Sequence, residues 1–459
     1  MANHIISSAI LLSLLLSTAV HSVSGCGQDL HLYRRQKLNI TQPPTPQAPG
    51  APAAQCTPYS YPPIQQYIKT YPTVWEIASV SQPGIDPMAA KLFQQLLPSI
   101  PTNIAIKGTP QGDFSSTTPN YPRNDPDCWW SFGNCTTPKL QGLSPDISTC
   151  PPPNTYGLTV DDGPNCSHNA YYDMLRQANF KATLFYVGSN VIDWPLEAQR
   201  GLSDGHEICA HTWSHRYMTG LTNEQAFAEL YFTKKIIRDI LGITVQCWRP
   251  PFGDVDDRIR FIASALGMST ILWDNDVNDF RFATLGQAAV NAKYQDLLNG
   301  ATRGLYNTHG TVVLSHELNA DTMNSSATYL PKIAQAFKYV TPVAVCQNNT
   351  QPYVEKTYTY PVSQVFIRFV SFGTYELMWS KIQSFAEWVG GTRNKQVPEP
   401  VSKVGGNLIL PVFSSNFSAH APGASYSGMS AVKSPASQLG PNIISALIVL
   451  SFLLVIELS

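Results

Sequence analysis

Two adjacent carboxylates and two histidines are the residues of this sequence whose types and spacing are best suited to chemistry. Asp161 and Asp162 stand in the segment Thr-Val-Asp-Asp-Gly-Pro at residues 159–164, and His211 and His215 are four residues apart. Successive side chains of a strand diverge, so the two carboxylates can have different tasks. On a helical turn, the histidine spacing places both imidazoles on one face, where they can share a metal ion with a carboxylate. The sequence therefore predicts a metal site.

Three more polar clusters follow apolar runs of the chain. Residues 249–254 read Arg-Pro-Pro-Phe-Gly-Asp, residues 273–280 read Trp-Asp-Asn-Asp-Val-Asn-Asp-Phe, and residues 314–317 read Leu-Ser-His-Glu. Taken singly, each is also typical of a structural feature: an Arg-Pro turn, a solvated acidic loop, or a histidine hydrogen-bonded at the end of a sheet. Their ordered occurrence at successive strand ends favours one catalytic site. No glutamate follows His211, which disfavours the HExxH pattern of zinc proteases.

The elements that must position these clusters alternate along residues 154–350. Short apolar runs typical of buried strands alternate with segments of helical periodicity. The strands are predicted at residues 156–160, 182–187, 207–210, 245–248, 268–273, 311–314 and 341–345, and the helices at residues 167–179, 191–200, 222–241, 256–266, 287–298 and 328–339. Strict β/α alternation indicates a parallel sheet, and about seven repeats suggest a barrel with its chemistry at the carboxyl ends of the strands. We therefore predict an α/β fold, a distorted (β/α) barrel of about seven strands with irregular extended flanks.

One predicted helix, at residues 222–241, has both of its ends marked. Thr222 and Gln225 have the spacing of a capping box, and Gly242 follows the last helical residue. The bounds of this helix are therefore expected to be accurate.

Composition and charge limit the classes of partner. The chain of 459 residues carries 30 Lys plus Arg against 31 Asp plus Glu, and charged residues make up only 13%. A nearly neutral chain has no strong field with which to attract a polyanion, so binding of nucleic acid is not expected. Of the 36 prolines, 22 precede residue 154, which favours one compact domain with extended flanks.

The flanks of the predicted domain have their own composition. Residues 25–153 are rich in proline, which excludes long helices, and are expected to wrap on the core, apart from a Pro/Ala linker at residues 42–55. Scattered aromatic residues argue against plain disorder in this segment: Tyr59, Tyr61, Tyr67, Trp75, Trp129 and Trp130. Residues 351–400 form an aromatic extension without an assigned role, and residues 401–432 are typical of a Ser/Gly-rich stalk.

The two termini have the composition of targeting signals. Residues 1–24 are predicted to be a signal peptide, with an apolar core too short to span a bilayer. Residues 433–459 are predicted to be a GPI-attachment propeptide, because small residues, a polar spacer and a terminal apolar run follow one another. Ser430 and Gly428 are the candidate attachment residues, and a short membrane span or a buried terminal helix is the alternative. We thus expect a secreted chain, at the extracellular face of the plasma membrane and in the cell wall.

Cysteines and glycosylation acceptors agree with secretion. The nine cysteines include no CxxC pair, so disulfides are the expected state in an oxidising compartment, with one cysteine left over. Cys128 and Cys135 are close enough in sequence for a local loop. Six Asn-x-Ser/Thr acceptors are candidate glycosylation sites: Asn39, Asn134, Asn165, Asn324, Asn348 and Asn416.

The ordered set of five clusters resembles carbohydrate esterase family 4, the polysaccharide deacetylases with a NodB-homology domain, and within it the secreted fungal chitin deacetylases. The resemblance covers residues 156–345. It implies metal-dependent hydrolysis of the N-acetyl groups of chitin to give chitosan and acetate. The implied partners are chitin, the glucan/chitin matrix of the wall, and the membrane through the GPI anchor. The alternatives are a deacetylase of xylan or another N-acetyl glycan, and a wall mannoprotein that binds chitin without turnover.

The same resemblance implies a role for each residue of the site. Asp162, His211 and His215 match the metal-binding triad, with Zn²⁺ or Co²⁺ as the metal. Asp161 matches the general base, which takes a proton from water. His316 matches the general acid, which protonates the departing amine.

Supporting roles are implied for the residues around the base and the acid. Arg249 would keep Asp161 ionised and oriented through a charge-assisted hydrogen bond. Asp279, favoured over Asp276, would tune the acid histidine.

Three aromatic residues of the motifs are expected near the substrate. Phe252 stands where the family often has Tyr, and it would keep the backbone N–H that donates to the oxyanion. Trp273 is a candidate substrate- or acetate-binding residue. Phe280 stands where the family often has Trp, so the substrate groove rather than the chemistry is expected to differ.

Overall fold

The centre of the fold is a parallel sheet. The structure is a computed structural model that describes residues 55–356, 366–367 and 377–378. The eight strands of the sheet are β1 Thr155–Gly163, β2 Thr183–Tyr186, β3 Glu207–Ala210, β4 Cys247–Trp248, β5 Ser269–Thr270, β6 Asn275–Asp276, β7 Thr311–Leu314 and β8 Tyr339–Thr341. The strand order is β5-β4-β3-β2-β1-β7-β6, and β8 also pairs with β1. A separate antiparallel pair consists of β9 Phe366–Ile367 and β10 Leu377–Met378.

Helices connect most consecutive strands and also occur before the sheet. They are α1 Pro62–Gln65, α2 Pro87–Leu96, α3 Trp130–Gly133, α4 Asn169–Gln177, α5 Gly188–Asp193, α6 Pro195–Ser203, α7 Asn223–Leu241, α8 Asp257–Ala265, α9 Phe282–Thr302, α10 Ala320–Ala336 and α11 Val343–Cys346. Short 3₁₀ helices are Ile68–Thr70, Leu97–Ser99, Thr118–Asn120, Met218–Gly220, Pro251–Gly253 and Asp279–Arg281.

The pairing of the sheet confirms the predicted fold class. Every described pairing among β1 to β8 is parallel. Within the described residues the end strands β5 and β6 do not pair with each other, so the barrel is not closed by a continuous ladder. The architecture is therefore a distorted (β/α) barrel.

The structure differs from two of the predicted elements, and in both the difference occurs at a proline. The strand predicted at residues 341–345 ends at Thr341, and Pro342 is the N-cap of helix α11. The helix predicted at residues 191–200 is two helices, because Pro195 begins a new helix after Trp194. Strand β6 has no counterpart among the predicted strands, since two residues are too few to show a periodicity.

Helix α7 has the predicted caps. The hydroxyl of Thr222 accepts a hydrogen bond from the Gln225 N–H at 3.2 Å, and the Thr222 N–H donates to Gln225 Oε1 at 3.0 Å. Gly242 follows the helix with a left-handed φ of 74°. The predicted start and end of this helix are confirmed.

The proline-rich segment before the sheet shares the hydrophobic core of the barrel. Ile64, Tyr71 and Phe93 are buried in the same cluster as the strand residues Leu158 and Leu184. The longest helix among residues 55–153 is α2, with ten residues. Most of the segment is irregular, since frequent prolines remove backbone donors. The described part of this segment is therefore packed on the barrel.

Four disulfides cross-link the described chain. They are Cys56–Cys166, Cys128–Cys135, Cys150–Cys346 and Cys209–Cys247. The expected disulfides, including the local one, are confirmed, and the ninth cysteine, Cys26, lies outside the described residues.

We expect two of these disulfides to differ in their contribution to stability. The paired cysteines are 196 residues apart in Cys150–Cys346 and 7 residues apart in Cys128–Cys135. Cross-linking a longer loop removes more entropy from the unfolded chain. Replacing both cysteines by alanine is expected to lower the free energy of unfolding by about 5 kcal/mol for the long loop and about 2 kcal/mol for the short one. Urea unfolding of both variants measures this, and equal losses would contradict the loop-length argument.

The glycosylation candidates differ in their accessibility. Asn134 and Asn348 are exposed, and Asn324 is half-buried. Asn165 is 6% exposed, and its side-chain N–H donates to the carbonyl of Leu318 at 2.9 Å. Of the four described candidates, Asn165 is therefore the least accessible to a glycan. Two candidates lie outside the described residues: Asn39 and Asn416.

The predicted targeting segments also lie outside the described residues. These are residues 1–24 and 433–459, together with the stalk at residues 401–432 and the candidates Gly428 and Ser430. Among the described residues, no helix combines the length and the hydropathy needed to cross a membrane.

Candidate active site

Asp162, His211 and His215 meet at the carboxyl ends of two strands. Asp162 is near the end of β1, and the histidines lie in the loop after β3. Asp162 Oδ1 is 3.1 Å from His215 Nε2 and 3.5 Å from His211 Nε2. One potential ligand atom of each residue lies within 4.8 Å of the others. Burial alone would raise the pKa of Asp162, but the nearby imidazoles hold it well below its usual range, so the carboxylate is ionised.

The histidine pair lies on a loop and not on a helical turn. Within residues 211–215, Thr212 and His215 have left-handed φ values of 63° and 55°. Glu229, buried in α7, accepts hydrogen bonds from the backbone N–H and the hydroxyl of Ser214 at 2.7 and 2.6 Å. These tertiary bonds hold a backbone conformation that is unfavourable for residues other than glycine. The imidazoles therefore converge through loop geometry and not through helical periodicity.

The arrangement of donors and acceptors fits a metal ion. His211 Nδ1 lies 2.8 Å from the carbonyl oxygen of Arg249, so its N–H donates there and Nε2 presents its lone pair to the site. Asp162 Oδ1 is buried and completes no hydrogen bond, although two ring nitrogens face it. A buried carboxylate oxygen without a donor is costly, and a divalent cation would stabilise it. Two nitrogens and one oxygen form a ligand set that suits zinc, which takes four ligands and would therefore have one coordination position left.

Asp161 is held by a buried arginine. Arg249 follows β4, is 0% exposed, and donates through Nη1 to Asp161 Oδ1 at 2.7 Å. It also donates to Thr159 Oγ1 and to the two backbone carbonyls of residues 271–272. The charge-assisted bond orients the Asp161 carboxylate. The other carboxylate oxygen is 3.7 Å from His211 Nε2, so Asp161 borders the candidate metal site.

His316 is placed beside Asp161 by the backbone. The two residues form a parallel bridge between the ends of β1 and β7. The ring Nδ1 of His316 lies 2.6 Å from Asp279 Oδ1, and Asp279 Oδ2 accepts the His316 backbone N–H at 2.9 Å. Asp276 instead accepts the N–H of Asn278 at 2.7 Å. The geometry thus places Asp279, and not Asp276, against the ring.

The His316 ring is electrostatically suited to carry a proton. Burial lowers its pKa, but the carboxylates of Asp279, Asp162 and Asp161 outweigh burial and raise the pKa to about 10. The imidazole is therefore protonated at neutral pH. Because Asp279 accepts the Nδ1–H, the proton available for transfer is the one on Nε2.

The pH profile should depend on Asp279. We expect Asp279→Asn to move the alkaline limb of acetate release to lower pH by about 1–3 units, because removing the opposite charge lowers the pKa of His316. The protonated ring is the active form, so activity is retained below this pKa and lost as the pH rises through it. Plots of kcat against pH for the parent and the variant measure the shift. Asp276→Asn is the matched control, and an unmoved limb in Asp279→Asn would contradict the role of that carboxylate.

Three aromatic side chains surround these polar groups. Phe252 has a left-handed φ of 59°, and its ring lies 4.7 Å from that of His215. Trp273 is half-buried, with its ring 5.4 Å from the guanidinium of the buried arginine. The ring of Phe280 lies 5.3 Å from that of His316. The candidate substrate-side residues are therefore brought to the same site.

A buried polar cluster around Glu317 was given no role from the sequence, although Glu317 belongs to the motif at residues 314–317. Glu317 is 0% exposed, with its carboxyl group 3.0 Å from the Tyr172 hydroxyl and 3.2 Å from His168 Nδ1. Its backbone N–H donates to the carbonyl of Asp161 at 3.0 Å. A Cβ at Gly163 would lie 1.6 Å from Glu317 Oε1, so this close approach requires glycine. The cluster connects the strand ends that carry the candidate base and acid.

A second group of potential ligands is not available to a metal. Glu207, Cys209 and Cys247 offer ligand atoms within 4.8 Å of one another, but the two sulfur atoms form a disulfide. Glu207 accepts hydrogen bonds from the Thr183 hydroxyl and the Ala344 N–H. These contacts give the buried carboxylate a structural role.

Known proteins similar to this chain are polysaccharide deacetylases. The sequence matches the family described as polysaccharide deacetylase over residues 148–271. It is 49% identical over 319 residues to chitin deacetylase 2 of Cryptococcus neoformans, covering 68% of this chain and 69% of that protein. It is 43% identical over 286 residues to the chitin deacetylase of Amylomyces rouxii, covering 62% of this chain and 68% of that protein. The solved chitin deacetylase of Colletotrichum lindemuthianum is 22% identical, with a TM-score of 0.40, over 44% of this chain and 92% of that chain.

Proposed function

Because the chain belongs to the polysaccharide deacetylase family, we propose that it hydrolyses the N-acetyl groups of N-acetylglucosamine units in chitin, giving chitosan and acetate. The observation that carries the proposal is the Arg249–Asp161 ion pair, at 2.7 Å, beside a convergent set of two histidines and a carboxylate. Hydrolysis of an unactivated amide requires a base for water, a polarised carbonyl and an acid for the amine. The site offers side chains for the base and the acid, and ligands for a cation that would polarise the carbonyl.

The metal is proposed to be Zn²⁺ or Co²⁺, held by Asp162, His211 and His215. Both ions accept imidazole and carboxylate ligands in such a set. When bound, the cation polarises the acetamide carbonyl and lowers the pKa of water. The buried Asp162 oxygen without a hydrogen bond supports this assignment.

The first chemical step is proposed to use Asp161 as the general base. Asp161 accepts a proton from water as the water oxygen bonds to the acetamide carbon. Arg249 keeps the carboxylate oriented throughout by donating a hydrogen bond to it. The backbone N–H of Phe252 donates to the carbonyl oxygen, which gains negative charge as the bond forms.

The second step is proposed to use His316 as the general acid. His316 donates its Nε2 proton to the amide nitrogen as the carbon–nitrogen bond breaks, so the sugar leaves as an amine and not as an amine anion. Asp279 holds the ring through Nδ1 and stabilises its charged form before the transfer. The products are acetate, which keeps the water oxygen, and a glucosamine unit that stays in the chain and carries a free amino group.

The substrate assignment can be tested directly against its alternatives. A nearly neutral chain, with 30 basic and 31 acidic residues, agrees with a neutral polysaccharide. We expect acetate release from glycol chitin that stops with a chelator, and no release from acetylated xylan. Release from xylan alone would overturn the chitin assignment. Binding of chitin without release of acetate would instead identify a non-catalytic wall protein.

The proposed location is the outer face of the plasma membrane, next to the chitin and glucan of the wall. Support comes from the composition of the termini and from four disulfides, which form in oxidising compartments. A GPI anchor would keep the enzyme beside newly made polymer. Release from membranes by a phosphatidylinositol-specific phospholipase is expected, and retention after treatment would contradict the anchor.

A further inference from the structure

Two tryptophans lie side by side next to the site. The rings of Trp130 and Trp273 are 4.9 Å apart between centroids and inclined by 60°. Both are half-buried, whereas Trp129 is 1% exposed and its Nε1–H donates to Asp254. The Trp129 side chain thus packs in the protein core, whereas part of the Trp130 side chain is accessible to solvent. Trp130 also lies outside residues 148–271, which match the family.

Each tryptophan contacts a residue that adjoins the proposed catalytic groups. The Trp273 ring is 5.4 Å from the guanidinium of Arg249, which holds the proposed base. Trp130 packs against Gly253, where an added Cβ would lie 2.4 Å from indole Cζ3 and where φ is 71°. The preceding residue, Phe252, places its ring 4.7 Å from a histidine of the proposed metal site. A ligand over the tryptophans would therefore lie next to the reacting groups.

Trp130 is held in place before any ligand binds. It begins α3 inside the loop that the Cys128–Cys135 disulfide closes. Arg260 donates to the carbonyl oxygens of both cysteines, at 2.6 and 2.9 Å, and the Trp130 N–H donates to Val255 at 3.0 Å. A side chain that is already ordered loses little entropy on binding, so its contact contributes more to affinity.

We propose that Trp130, together with Trp273, binds the sugar ring next to the one that loses its acetyl group. A pyranose has a face of C–H groups, which packs on the negative face of an indole and buries apolar area without a charged partner. Trp130 is thereby a specificity-determining residue that favours chains over single sugars. The inference rests on the proposed function and extends it from the reacting sugar to its neighbour.

Steady-state kinetics with the chitin tetrasaccharide test this role. Trp130→Ala raises KM by about 10-fold with kcat nearly unchanged, which corresponds to the loss of one good aromatic contact in binding. Trp130→Phe keeps a flat ring and stays within about threefold of the parent. Trp130→Met fills space without an aromatic face and behaves like the alanine variant. Phe132→Ala is the matched control and keeps the parental KM, because Phe132 shares the disulfide loop but stacks on Trp129.

Two results would overturn the inference. One is an unchanged KM in both the alanine and the methionine variants. The other is a loss of kcat at unchanged KM, which would mean that Trp130 only supports the loop of Gly253. Melting temperatures identify the folded variants, and the methionine variant keeps the test valid where the alanine variant unfolds. A parent enzyme that releases no acetate would instead contradict the proposed function, so the two failures are distinguishable.

Discussion

Asp161→Asn is expected to lower kcat for acetate release from glycol chitin by about 10²–10⁴-fold, the range for loss of a general base. Asparagine has nearly the same shape as aspartate, but its amide cannot take the proton from water. Arg249 keeps its bonds to Thr159 and to the carbonyls of residues 271–272, so the buried guanidinium retains partners and the fold is expected to persist. Acetate release at saturating substrate measures the effect, with the melting temperature as the check on folding.

The control for this prediction is the other carboxylate close to the site. Asp276 lies on β6 and accepts a backbone N–H, so Asp276→Asn keeps that bond and should retain the parental rate within about threefold. If Asp161→Asn released acetate at the parental rate, Asp161 would not be the general base. Equal losses of rate in Asp161→Asn and Asp276→Asn would mean that removing either negative charge disturbs the site, and would contradict a specific role of Asp161 as the base.

The second large effect is expected from the metal site. His215→Ala leaves two of the three proposed ligands and is expected to reduce Zn²⁺ affinity by more than about 100-fold, since the loss of a supporting partner alone costs 10–100-fold. Because this variant loses the metal, its acetate release should fall to background. Titration calorimetry with Zn²⁺ and the metal content after dialysis measure binding independently of activity.

The matched control for the metal site is a histidine elsewhere on the surface. His309 is exposed, and its Nδ1 lies beside the carbonyl of Gly310, so His309→Ala should bind Zn²⁺ as the parent does. The parent should lose activity to a chelator and recover it when Zn²⁺ or Co²⁺ is returned. Full Zn²⁺ binding by His215→Ala, or chelator-resistant activity in the parent, would overturn the assignment of the site.

Features encoded by neighbours in the chain were predictable. The caps of α7 involve Thr222, Gln225 and Gly242, all within one turn of a helix end, so spacing alone identifies them. The alternation of strands and helices predicted a parallel sheet, because each element shows its own apolar period. The carboxyl ends of parallel strands lie at one edge, so the motifs after them were expected to meet.

Features that depend on distant partners were not predictable. The spacing of His211 and His215 would place both rings on one face of a helical turn, but the pair lies on a loop that Glu229, from a different element, holds through Ser214. Trp130 is separated from Trp273 by more than a hundred residues, and its neighbour Trp129 has the same side chain with a different role. Identical residue types have different roles here because burial depends on what packs against them.

The sequence by itself determined the alternation of most strands and helices and which polar side chains follow the strands, because these depend on backbone geometry and local periodicity. It also supplied the adjacent Asp161 and Asp162, but a left-handed φ of 71° at Asp162, at a register shift of β1, brings an oxygen of each carboxylate within 4 Å of the same His211 nitrogen. Only the tertiary structure decided that Arg249 reaches one carboxylate, that the histidines reach the other, and that Trp130 joins the site. Hydrophobic burial is non-directional, so sequence reveals which residues are buried but not which partners they meet.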